Sequence, residues 1–159
     1  MRMIIAAVTA ALTLTSCVQS SAMRVSQNEA IIQTSAEAMC GATGALKAAE
    51  KQAAIETIKA GYDRYIITAA SSANNVHATQ MPGTYNTYGR VSSYGGFGTV
   101  NATTTYTPGP IIYGGSHDQA VGVRMFAEGE PGASNAISAR ETLGPKWATI
   151  ARDGVRLCN

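Results

Sequence analysis

The sequence predicts an α+β domain carrying one projecting insertion. Three observations lead there: an Ala-rich helical stretch between two β-prone runs, a cleanly alternating strand late in the chain, and a Gly/Tyr/Thr tract over residues 74–117. The chain has 159 residues, 45% of them apolar, 14% charged and 6% aromatic, with a net charge of +2. Once a leader is removed, that is enough for one domain and hardly two. So little basic excess, without a long one-sign block, argues against nucleic acid as a partner. Three cysteines are too few for a disulfide-dense mini-protein.

Residues 1–16 read as a signal peptide. Arg2 gives a short positive region, and Met3 to Leu14 form an apolar run broken only by Thr9 and Thr13. The run is shorter than the ~20 residues a spanning helix needs and has the length of a signal-peptide core. Leu14-Thr15-Ser16-Cys17 follows directly and resembles the bacterial lipobox. That resemblance implies diacylglycerol on Cys17, cleavage before it, and an acyl group such as palmitate on the new amino terminus. Each buried CH₂ contributes about 0.8 kcal/mol, and more than one acyl chain holds a protein stably on a membrane. The alternative is an ordinary secretory signal cut after Ser20-Ser21-Ala22, which would discard Cys17. Val18 stands after the cysteine instead of an Asp; by resemblance to Gram-negative lipoproteins, this implies the outer membrane, on its periplasmic or surface face. Gln19 to Gln27 are polar, so residues 17–27 are expected to form a tether and 28–159 the domain.

With Cys17 lipidated, Cys40 and Cys158 remain, an even number in an oxidising compartment. A structural disulfide between them is the expectation, worth ~4–5 kcal/mol in the chain-entropy model for so long a loop. Two free thiols or a redox pair are the alternatives, and the C-x-x-C spacing of a redox pair is missing.

Glu29 to Ser35 reads as a strand with Ala30, Ile32 and Thr34 on one face; a helix over Glu29 to Ala38 is nearly as good. Ala45 to Ala60 is the best helix, rich in Ala, Leu, Glu, Lys and Gln and stopped by Gly61. Ala42, Leu46, Ala49, Ala53 and Ala60 are expected on its sheet-facing side, with Ile55 and Ile58 elsewhere. Arg64 to Ala70 reads as a buried strand, so a β-α-β unit is expected as the core. Gln119 to Ala127 alternates, with Val121, Val123, Met125 and Ala127 on one face. After a turn over 128–133, Ser134-Asn135 is expected to cap a helix over Ala136 to Leu143. A last helical segment then runs from Pro145 through Arg152, where Trp147 and Ile150 pack on the sheet.

Between Asn74 and His117, 26 of 44 residues are Gly, Thr, Ser, Asn or Pro, five are Tyr, and only Arg90 carries a formal charge. Such a tract buries too little apolar surface to offset its ordering entropy, and it is expected to stay loose or to pair weakly as β-ribbon. Thr99 to Tyr106 suits one arm of a hairpin.

Ala53 to Ile67, the strand Val123-Arg124-Met125-Phe126 and the stretch Ala139 to Trp147 together resemble a group of short, mostly uncharacterised proteobacterial periplasmic lipoproteins. In that group a helix ending in Gly-aromatic-Asp leads into a hydrophobic strand of an α+β domain. The resemblance implies fold and location and carries no catalytic residues.

His77 and His117 are the only candidate neutral-pH bases or imidazole ligands. His117-Asp118 would be the base pair of an envelope hydrolase, and His77 with His117 a metal pair. No further ligand stands at zinc spacing, so neither metal nor cofactor is expected. No G-x-S-x-G or S-x-x-K motif supplies a nucleophile with a base. Glu128 and Glu130 read as a solvated turn, and Asp63 as an acceptor of backbone N–H groups beside Arg64. The expected function is therefore a non-catalytic, outer-membrane-anchored envelope lipoprotein, a binding or structural module. Its partners would be the membrane through its lipid and an envelope protein or cell-wall glycan. The alternatives are an accessory subunit of an envelope machine or stress-sensing complex, and the His117/Asp118 hydrolase.

Overall fold

The computed structural model describes residues 18–154, so the signal peptide, Cys17 and Cys158 lie outside the described residues. The elements run β1 (Val18–Arg24), β2 (Glu29–Glu37), α1 (Gly41–Lys59), β3 (Arg64–Asn74), β4 (His77–Gln80), β5 (Thr84–Tyr94), β6 (Phe97–Thr107), β7 (Ile111–Gly114), β8 (Ser116–Phe126), β9 (Ile137–Ser138), α2 (Ala139–Leu143) and α3 (Trp147–Asp153). The fold is α+β: a five-stranded sheet in the order β1-β2-β8-β3-β9, with α1, α2 and α3 on one face.

The core follows from strand alternation. Ala30, Ile32, Thr34 and Ala36 of β2 are buried, as are Val121, Val123 and Met125 of β8 and Tyr65 of β3. These side chains pack against Ala49, Ala53, Ala54 and Ile55 of α1 and against Leu143 and Ala151 behind it. Helix α1 touches both the sheet and the two short helices, so its buried surface is wider than one stripe. Ile55 is consequently fully buried while Leu46 is 49% exposed, the reverse of the expected arrangement. Thr57, also buried, donates its hydroxyl to the carbonyl of Ala53 at 2.8 Å and so carries no orphan polar atom into the core.

β2 and β3 are each antiparallel to β8, which lies between them. The two strands joined through α1 therefore run parallel without touching each other. The late strand occupies the middle because its inner face, Val121-Val123-Met125, is the most apolar alternation available. A β-bulge at Thr68 shifts the register between Ile67 and Ala69. The alternation then resumes, with Ala70 opposite Val121.

Two local expectations are corrected. The stretch expected as a tether is β1 from Val18 to Arg24, paired from Val18↔Ala36 to Arg24↔Ala30. An otherwise free β2 edge recruits it, and Val18 seats beside Ala36, Ala45 and Ala48. The helix expected over Ala136 to Leu143 begins only at Ala139. Ile137 and Ser138 instead pair with Tyr65 and Arg64 at the edge of β3, and residues 133–135 form a 3₁₀ turn. Ser138, first residue of the Ser138-Ala139-Arg140-Glu141 capping box that the sequence carries, caps α2 in place of Ser134 or Asn135, accepting from the Glu141 N–H at 3.4 Å.

Candidate functional site

The tract over residues 74–117 is an ordered two-stranded ribbon. β3 and β8 run past the helix layer to Asn74↔His117, β4 pairs with β7, and β5 pairs with β6, so successive ladders share one pair of chain directions. The Asn75 N–H to Ser116 carbonyl bond (2.9 Å) and the Met81 N–H to Pro110 carbonyl bond (2.9 Å) bridge the joints. At the first joint Gly115 has φ +95°, and a Cβ there would collide with the Asn75 carbonyl oxygen, so only glycine lets the arms pass. At the tip, Gly95 and Gly96 have φ of 60° and 85°. Both residues of a two-residue turn that follows the twist of its strands need such angles.

β5 and β6 match residue for residue from Thr84↔Thr107 to Tyr94↔Phe97 without a bulge. At ~3.3 Å per residue each arm is about 36 Å long. Every residue in both strands is exposed. One face carries Tyr85, Thr87, Gly89, Val91 and Ser93 against Tyr106, Thr104, Ala102, Val100 and Gly98; the other carries Asn86, Tyr88, Arg90 and Tyr94 against Thr105, Thr103, Asn101 and Phe97. A tilted ring contact between Tyr85 and Tyr106, with centroids 4.7 Å apart, and a 2.9 Å hydroxyl contact between Thr87 and Thr104 add cross-strand contacts to the ladder.

Asp118 holds the root of the ribbon. Its Oδ1 accepts from Ser35 Oγ at 2.6 Å and Ser116 Oγ at 3.0 Å, and its Oδ2 accepts from Asn75 Nδ2 at 2.6 Å. These hydrogen bonds, led by that of Ser35, hold the carboxyl below the usual Asp range. Beside it, on the sheet face away from α1, is a groove of about 500 Å³ with Gln19, Ser21, Gln33, Ser35 and Ser71 among its walls. His117, one residue back along β8, projects to the opposite face, where it borders a small hollow of about 80 Å³ with Ala42 and Ala45 of α1.

The structure therefore separates the residues that sequence proximity suggested as a base pair. Adjacent strand residues face opposite ways, and Asp118 is occupied by three donors instead of orienting His117. His77 sits in β4 opposite Gly114, its Nδ1 3.4 Å from the Asn75 carbonyl oxygen. Among the described residues no group of three or more His, Cys, Asp or Glu is placed to hold a metal. Cys40 follows β2 in a 3₁₀ turn and is disulfide-bonded; Cys17 and Cys158, the only other cysteines, lie outside the described residues. Asp63 accepts the Glu128 N–H at 3.2 Å and Arg140 Nη2 at 3.2 Å, so the backbone group it satisfies comes from across the fold, not from its own turn. Arg64 is engaged by Glu128 at 3.1 Å and by the Ala136 carbonyl at 3.2 Å, while Glu130 accepts the Ala127 N–H at 2.9 Å within its turn.

The roles of Ser35 and Asn75 escaped the sequence analysis. They lie 83 and 43 residues from Asp118, and no local pattern marks them. No helix among the described residues is long and apolar enough to cross a membrane. The chain matches no protein-family model, no curated protein and no solved structure.

Proposed function

We propose that this chain is a non-catalytic envelope lipoprotein, anchored to the outer membrane through Cys17 and working through its ribbon as the contact element. The observation that carries this reading is the exposure of every residue in β5 and β6, aromatic side chains included. An isolated two-stranded hairpin is marginal in water, and exposed Tyr, Phe and Val on a long arm suit contact with another molecule. The occupation of Asp118 and the opposite heading of His117 favour binding over the hydrolase alternative. The β2, α1 and β3 elements read as a split β-α-β unit that serves as the platform for the ribbon. With β1 beginning directly after Cys17, a lipid there would hold the sheet edge close to the bilayer.

Two measurements on protein taken from membranes test this. Intact mass should show the diacylglycerol and acyl additions, and Cys17→Ser should abolish both them and fractionation with envelopes. A pull-down from crosslinked envelopes should lose its partners when residues 84–107 are deleted. Unchanged partners would overturn a contact role of the ribbon toward other envelope components.

A further inference from the structure

We infer that the surface which the β5–β6 hairpin is built to meet is the same hairpin in a second copy of this chain, paired edge to edge. The inference rests on the contact role proposed above and names its occupant. β5 and β6 each pair on one side only, so both leave an outer edge of unsatisfied backbone groups. A two-residue turn makes Tyr94 and Phe97 a hydrogen-bonded pair, so the pattern alternates back from the tip. The N–H and C=O groups of Ser93, Val91, Gly89, Thr87 and Tyr85 then point away from β6, and those of Gly98, Val100, Ala102, Thr104 and Tyr106 away from β5.

Natural proteins protect such edges with charges, prolines, bulges or short strands. From Thr84 to Thr107 there is no Pro, Lys, Asp or Glu, and Arg90 is the single charge. The arms are eleven residues each, with no bulge. These are the properties of a strand that is meant to be paired.

Identity of the partner follows from the geometry. β5 of one copy placed antiparallel on β6 of the next continues the sheet in the register that already exists within each hairpin. Val91 then meets the neighbour's Val100, Thr87 its Thr104 and Tyr85 its Tyr106. The uncharged face becomes one continuous strip of Tyr, Val and small residues, while Arg90 stays on the other face with Asn86 and Asn101. The contact is head-to-tail, so it adds copies until the sheet closes into a ring or ends as a filament.

The test uses the full chain in detergent, with mass measured by light scattering over a range of concentrations. Wild type should show a mass at least twice that of one chain. Thr87→Pro removes an N–H that points outward and leaves the internal backbone ladder intact, losing only the exposed hydroxyl contact to Thr104; Val91→Lys keeps every N–H and sets a charge on the strip. Both should return the chain to a single-chain mass with the thermal transition of the main domain unchanged. A wild type that is monomeric throughout, or an oligomer that survives both variants and deletion of 84–107, overturns the inference. Should the wild type be monomeric while deletion still removes envelope partners, the contact role stands and the second copy falls. An oligomer that depends on the hairpin, beside unchanged envelope partners, supports self-pairing and removes the external partner.

Discussion

Tyr65 donates its hydroxyl to Thr142 Oγ1 at 3.1 Å, joining β3 to α2. The direction is fixed because the Thr142 hydroxyl already gives its one proton to the Ser138 carbonyl at 3.1 Å. Tyr65 is fully buried, and burial raises its phenol pKa above the ordinary tyrosine value, which keeps the donor protonated.

That direction makes the two partners unequal. Tyr65→Phe leaves Thr142 with its second bond and should cost about 0.5–1 kcal/mol; Thr142→Ala strands a buried donor and should cost about 1–3 kcal/mol. In urea unfolding the double variant should fall well short of the sum of the singles. Additivity would mean that the hydroxyl contact contributes nothing.

The α1 surface is closed by small residues at contact distance from strands. Ala49 and Ala53 are both 0% exposed in the core cluster. Ala53→Leu should destabilise by about 1–3 kcal/mol or more through overpacking, despite the good helix propensity of Leu. A thermal melt that shows no loss would mean that α1 packs on the sheet less closely than this.

Asp118 sets an acid limit on the root of the ribbon. Its folded pKa is lowered, so its stabilising contribution is complete above the unfolded value of about 3.9 and is lost as pH falls through the folded value. The melting difference between wild type and Asp118→Asn should be constant above about pH 5 and close progressively below pH 4. A difference that does not change with pH would exclude the carboxylate charge as its source.

The tip and the core should respond independently. Gly95→Ala with Gly96→Ala places two Cβ atoms at positive φ, at roughly 1–2 kcal/mol each. Amide exchange should accelerate from Thr84 to Thr107, while the melting transition of the domain stays in place because nothing in those strands is buried. Gly95→Asn should be tolerated, since Asn adopts such angles in hairpin turns. Loss of the global transition would tie the hairpin to the core.

Much of the fold was legible locally. The Ala-rich run up to Gly61, the β-branched run from Arg64 and the alternation around Val121 each announce an element through neighbours a few residues away. The charge-poor Gly/Tyr/Thr composition likewise marks 74–117 as a projection, with Thr99 to Tyr106 legible as one hairpin arm. Long-range choices were not legible. Polar Gln19 to Arg24 forms a strand only because an open β2 edge lies beside it, and Ile137-Ser138 leaves the expected helix because β3 offers a ladder.

The sequence by itself determined the Ala-rich helix that stops at Gly61, the β-prone run from Arg64, the alternating strand around Val121, and that a charge-poor arm leaves the domain. Tertiary structure alone decided that β8 enters between β2 and β3, that His117 and Asp118 face opposite sides, and that Asp118 meets Ser35 and Asn75. The reason is physical: periodicity and turn chemistry act over one or two turns of chain, whereas strand order and side-chain partners are chosen by burial and hydrogen bonding across the whole domain.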